Sequence, residues 1–135
     1  FTQVVNAVLR PMMARRSGRV IAIGSVTAAR ANQGNAAYAA SKAALEAYMR
    51  TLSLETAKRG ITANTIAPGF VDTDMMGKYA AYRAGMEKQI PAGRFARPEE
   101  IGALAAFLMS PSAAYITGAT IPVDGGLMAS MGLQR

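Results

Sequence analysis

The chain has 135 residues with no Cys, no His and no Trp, which excludes disulfides, thiolate nucleophiles, Cys/His zinc sites and any imidazole base, leaving Ser, Thr, Tyr, Lys, Asp and Glu for catalysis. The balance of 15 basic against 8 acidic residues gives +7, but the cations are scattered and not interleaved with aromatics, so neither a nucleic acid nor a membrane surface is the expected partner. Hydrophobic residues at 51% with charged residues at 17% point to a layered α/β protein whose elements are often buried on two faces.

Phe1, Val4, Val5, Val8, Leu9, Met12 and Met13 form a helical stripe that stops at Ser17-Gly18, with Pro11 expected to kink or shorten the helix. Phe1 is already on the stripe, with no capping residue ahead of it and no initiator Met, so a longer parent chain is expected. Arg19 to Ser25 (RVIAIGS) reads as a buried strand of a parallel sheet. Tyr38 to Arg59 reads as a long helix closed by Gly60, and Ile61 to Ala67 as the next strand, stopped by Pro68-Gly69. Residues 70 to 97 read as irregular with short helical pieces, Pro98 to Met109 as a helix opened by Pro and two carboxylates, and Gly118 to Val123 as a last strand. This order predicts half of a doubly wound parallel sheet in a single partial domain. No apolar stretch approaches the roughly 20 residues of a membrane span, and a cytoplasmic location is expected.

Tyr38 and Lys42 are four residues apart on one face of the predicted long helix, and Ser25 closes a strand. In parallel sheets the crevice at the carboxyl ends of the strands is where ligands bind, so the three groups are expected around one point. A phenol ordinarily titrates near pH 10, and an ammonium alongside favours the phenolate, making Tyr a usable proton donor. Ser25 would hydrogen-bond the substrate oxygen as negative charge develops there. The trio suits proton transfer at a carbonyl or alcohol oxygen, with hydride from a cofactor. A Tyr-x-x-x-Lys pair alone is a weak signal, since most such pairs are ordinary surface pairs. Here Ser25 lies 13 residues upstream, and Asn64 and Pro68-Gly69 (NTIAPGFVDTDM), PEEIG and ITGATIPVDGG follow in order.

With these motifs in register the sequence resembles the short-chain dehydrogenase/reductases of Rossmann type, above all those that reduce 3-oxoacyl thioesters on acyl carrier protein, from about Arg10 to Gly126. The resemblance implies Ser25, Tyr38 and Lys42 as catalytic residues. It implies Tyr38, Lys42, Pro68, Gly69, Val71 and Thr73 as contacts of a nicotinamide cofactor, NADP in preference to NAD, and no metal. It makes residues 74 to 93 a substrate lid. A homotetramer is implied, and Arg16 and Arg59, ending two successive helices, are a candidate docking patch for acyl carrier protein. Their bland reading is that of cations at helix C-termini. The family's glycine-rich phosphate loop is not in this chain, and its catalytic Asn is expected upstream of Phe1, so Asn6 receives no role. The expected reaction is reduction of a 3-oxoacyl thioester to the 3-hydroxyacyl form. The alternatives are a dehydrogenase of another secondary alcohol (sugar, steroid or small alcohol) or a non-catalytic fragment; the isolated piece is expected to be inactive.

Overall fold

A computed structural model describes residues 1–130, apart from the side chains of Met75 and Lys78. Its elements are α1 (Thr2–Arg15), β1 (Gly18–Ile23), α2 (Ala36–Thr56), β2 (Ile61–Pro68), α3 (Arg83–Glu87), α4 (Pro98–Met109) and β3 (Thr120–Val123). The three strands form one parallel sheet in the order β1-β2-β3. Gly18 pairs with Ile61 through to Ile23 with Ile66, and Thr65 pairs with Thr120 through to Pro68 with Val123. The expected α/β architecture is present.

Alternation along the strands explains the layers. Val20 and Ala22 of β1, with Ile61 and Ala63 of β2, pack against Val5 of α1 and Met49 and Leu52 of α2. The opposite face, with Ile66, Ile21 and Ile121, packs against Leu108 and Leu104 of α4. Covered on both sides, β2 is buried from Ile61 to Ala67, as a central parallel strand should be. A third cluster caps the carboxyl end of the sheet, where Val26, Ile90, Phe95 and Leu127 meet Phe70, Met76 and Met86. The C-terminal half of α2 is anchored through Met49, Leu52, Ser53 and Thr56, all buried. Its first turns lie at the surface. Among the described residues, no helix is long and apolar enough to cross a membrane.

Several boundaries differ from the sequence expectations. The helix α1 runs through Pro11 to Arg15, because Met12 and Met13 beyond the proline pack on the first core cluster and that burial outweighs the lost main-chain bond. The first strand ends at Ile23 and not at Ser25. Gly24 N–H still donates to the Ile66 carbonyl at 2.7 Å, but Ser25 turns the chain into a 3-10 turn at Val26–Ala28. The long helix starts at Ala36 and its α-helical part ends at Thr56, with a 3-10 turn over Ala57–Arg59 before Gly60. Gly60 has φ 68°, and a Cβ there would run into the Arg16 carbonyl, so glycine is required where the two helix-to-strand junctions touch. The last strand begins at Thr120. Gly118 and Ala119 also bond to β2, as Gly118 N–H donates to the Ala63 carbonyl at 2.8 Å, and Ala119 N–H to Asn64 Oδ1 at 3.1 Å. Asn64 Nδ2 in turn donates to the Ile116 carbonyl at 2.7 Å, which satisfies this buried amide.

Candidate active site

Ser25 is extended (φ −167°, ψ 148°) and 8% exposed. Its Oγ accepts two hydrogen bonds, from Thr27 N–H at 3.2 Å and from Thr27 Oγ1 at 2.8 Å. A serine hydroxyl has two lone pairs and one proton, so Thr27 uses the acceptor capacity and leaves Ser25 with its O–H to donate. Ser25 thus is a cap of the following turn, the ordinary reading, and also a prepared donor. Thr27 had no part in the sequence reading; the only signal was a second hydroxyl two residues after the serine.

Tyr38 lies in the first turn of α2 and Lys42 one turn on. Lys42 Nζ donates to the Ile23 carbonyl at 3.0 Å and sits 5.5 Å from the centroid of the Tyr38 ring. One bond therefore ties the helix to the carboxyl end of β1, two residues before Ser25, and holds a positive charge against the phenol ring. An ammonium has three N–H groups; those not given to Ile23 remain for a ligand. The Tyr38 side is open, with 48% of the residue exposed.

Pro68 is the last residue of β2 and Gly69 follows it, beside the end of β1. Gly69 N–H donates to the Val123 carbonyl at 3.0 Å, and a Cβ on Gly69 would lie 2.9 Å from both Cα and Cβ of Asp124. Val71 is bridged to Ala96, and Thr73 opens the 3-10 turns at Asp74–Tyr82. The third core cluster joins Val26, next to Ser25, to Phe70, next to Gly69 and Val71. The structure therefore brings the serine turn and the 68–73 segment to one end of the sheet.

A cleft of about 280 Å³ opens beside that segment, bounded by Asp72, Thr73, Met76, Ala80, Arg83 and Phe95. Arg83 forks onto Asp72 at 2.8 and 2.9 Å and reaches Glu87 Oε1 at 2.9 Å. Those bonds, the one to Asp72 foremost, push the Arg83 pKa up, and the Arg83 guanidinium holds the Asp72 carboxyl below its ordinary range. Arg30 Nη1 donates to the Leu127 carbonyl at 3.0 Å, tying the loop after Ser25 to the last turn. Sequence reasoning found none of these links.

Arg16 and Arg59 precede β1 and β2, at the amino end of the sheet and away from Ser25 and Tyr38. Arg16 Nη2 donates to the Lys58 carbonyl at 2.9 Å, so Arg16 caps the end of the neighbouring helix, as the bland reading has it.

The donor set fits one end of a nicotinamide dinucleotide. Lys42 has N–H groups to offer ribose hydroxyls at the open end of the sheet, while the pyrophosphate would need a glycine-rich turn that this sequence does not contain.

The family model described as enoyl-(acyl carrier protein) reductase matches residues 1–128. The chain is 50% identical over 126 residues to the 3-oxoacyl-[acyl-carrier-protein] reductase FabG of Pseudomonas aeruginosa, covering 93% of this chain and 51% of that protein. It is also 50% identical over 123 residues to FabG of Escherichia coli, covering 90% and 50%. Among solved structures it resembles a gluconate 5-dehydrogenase from Burkholderia cenocepacia in complex with NADP and tartrate (TM-score 0.91, 36% identity, 95% of this chain and 51% of that one). It also resembles a short-chain dehydrogenase/reductase from Burkholderia thailandensis (TM-score 0.88, 40% identity, 94% and 51%). The chain spans about half the length of the curated relatives it matches. With the family model matched over nearly its whole length and the serine just beyond β1, the helical Tyr-Lys pair and the sheet in the order just described, the chain belongs to the short-chain dehydrogenase/reductase family.

Proposed function

We propose that this chain carries the catalytic and lid half of an oxidoreductase that reduces a 3-oxoacyl thioester to the 3-hydroxyacyl form with NADPH, or with NADH. The observation that carries the reading is the Lys42 ammonium, anchored on the Ile23 carbonyl at 3.0 Å and lying 5.5 Å from the Tyr38 ring. A nicotinamide cofactor, when bound, would supply the hydride for the carbonyl carbon. Tyr38 O–H gives its proton to the carbonyl oxygen, and the Lys42 charge opposes the charge left on the phenol oxygen. Ser25, its lone pairs held by Thr27, donates its O–H to the same oxygen as negative charge grows there. Tyr38, Lys42, Pro68, Gly69, Val71 and Thr73 would hold the nicotinamide and its ribose, and residues 74–93 would form the lid over the acyl group.

The thioester rather than another substrate is favoured by the 3-oxoacyl reductases at about half identity, and NADP by the NADP complex among the similar structures. A dehydrogenase of another secondary alcohol is the second reading, supported by the likeness to the gluconate 5-dehydrogenase. An acyl carrier protein docked on Arg16 and Arg59 would stand at the amino end of the sheet, so its thioester must cross the length of a six-residue strand, about 20 Å. A homotetramer is the proposed assembly.

The test uses the complete protein and compares turnover of a 3-oxobutanoyl thioester with that of gluconate. Tyr38→Phe should lower kcat about 10²- to 10⁴-fold with the fold intact. Near wild-type turnover in that variant, or turnover of gluconate alone, overturns the mechanism or the substrate respectively.

A further inference from the structure

The chain leaves the sheet region at Thr73 and winds through Asp74–Tyr82. It comes back to its starting point at Arg83, which grips Asp72 in a two-pronged pair, Nη1 to Oδ1 at 2.8 Å and Nη2 to Oδ2 at 2.9 Å. The remaining guanidinium edge is held by Glu87 at 2.9 Å, and the Arg83 carbon Cζ lies 4.6 Å from the Phe95 ring centroid. Asp72 itself is fixed, because its N–H donates to the Ala96 carbonyl at 2.8 Å, while Ala96 N–H donates to the Phe70 carbonyl at 2.9 Å. Phe95 is fixed by stacking on Phe70 with centroids 5.4 Å apart. Residues 73–82 are therefore an arch stapled at its neck, and the cleft of about 280 Å³ lies against the arch and that neck.

We propose that Arg83 is a positioning residue that staples the arch to Asp72 and thereby sets the shape of the acyl-binding cleft. The proposal rests on the reductase reading above, and it adds the residue that determines how well the acyl group is held. A solvent-exposed ion pair contributes little to global stability. This one is bidentate and backed by a ring, so its effect is geometric, fixing one arrangement of a loop that has many others open to it. Ser25 is held by Thr27, and Lys42 by the Ile23 carbonyl beside the Tyr38 ring; none of these bonds runs through Arg83, so loosening the arch should change the cleft more than the reacting groups.

The experiment uses the complete protein with NADPH bound and a 3-oxobutanoyl thioester as probe. Arg83→Gln and Asp72→Asn should each raise KM for the thioester about tenfold while kcat changes less than about threefold. Arg83→Lys, which keeps the charge but cannot fork, should give an intermediate rise. The double variant Asp72→Asn/Arg83→Gln should be no worse than either single one, because both remove the same staple. Chymotryptic nicking after Tyr82, which is 69% exposed, should be faster in both single variants. Unchanged KM, additive effects, or nicking equal to wild type overturns the staple. A wild-type protein that reduces no thioester overturns the reductase reading instead, and faster nicking in the variants would still uphold the staple.

Discussion

Adding one methyl group at Gly69 and one at Gly102 should have opposite effects on stability. A Cβ on Gly69 would stand 2.9 Å from Asp124 Cα and 2.9 Å from its Cβ. Carbon atoms rest at about 3.5–4.0 Å, so the two segments must part by roughly 0.6–1.1 Å. Asp124 has little room to retreat. Its carboxylate accepts from Gly126 N–H at 3.0 Å and Met128 N–H at 2.8 Å, and Gly69 N–H is held by the Val123 carbonyl at 3.0 Å. Overpacking of this kind costs about 1–3 kcal/mol, and for a domain of roughly 150–250 residues each kcal/mol lowers Tm by about 2–4 °C. Gly69→Ala should therefore melt about 2–12 °C below wild type. At Gly102, inside α4, nothing lies within 4 Å of the added carbon. Alanine there should stabilise by about 0.5–1 kcal/mol, since it removes backbone freedom from the unfolded chain and improves helix propensity. Thermal melts of the complete protein decide the matter; a Gly69→Ala melt equal to or above that of Gly102→Ala would refute the reasoning.

Thr27→Val removes one of the two donors that hold the Ser25 lone pairs and leaves the serine hydroxyl less fixed in orientation, so kcat should fall about tenfold with cofactor KM unchanged; steady-state kinetics read both, and an unaltered kcat counts against the prepared donor. The Glu100 carboxyl is pushed down to about 2, first by its hydrogen bonds from Arg94 and then by the Arg97 N–H at the start of α4. A carboxyl whose pKa is lowered on folding stabilises the fold above its ordinary value and loses that contribution as pH falls. The wild type should thus lose stability more steeply than Glu100→Gln between about pH 4.5 and 2, and parallel acid-unfolding curves would contradict the assignment. Reversing the charge of Arg16 and Arg59 together should raise KM for a carrier-bound substrate but not for a small thioester; equal effects on both would leave Arg16 as the helix cap that its bond to Lys58 makes it.

Elements written in local chemistry were legible. The helix at Pro98–Met109 matches its expected bounds, because a proline in the first turn and Glu100 reaching back to the Arg97 N–H mark its start. The Tyr38 and Lys42 pair was legible for the same reason, since four residues of helix bring two side chains onto one face. Ends decided by tertiary partners were not. Pro11 sits inside α1 because of what Met12 and Met13 pack against, and β3 starts late because Asn64 and Thr117 side chains, not only strand pairing, hold the approach to it. The Arg83 staple was illegible in principle, as eleven residues separate its partners and only the folded path of the arch makes them meet. Thr27 lay in plain view, yet nothing in its type or spacing tells which of two neighbouring hydroxyls donates to the other.

The burial pattern of α2 makes that helix a beam clamped at one end. Met49, Leu52, Ser53 and Thr56 sit in the clamp, and Tyr38 is carried at the free end, eleven residues and about 16 Å from Met49. A tilt of about 5° at the clamp would swing the phenol by about 1.4 Å, and a misplacement of about 1 Å is enough to cost roughly 10²-fold in rate. The Lys42 bond to the Ile23 carbonyl is the stay that resists this swing near the tip. On the proposed mechanism, substitutions at Met49 or Leu52 would have leverage on turnover out of proportion to their distance from Tyr38, and repacking that is neutral for melting need not be neutral for turnover.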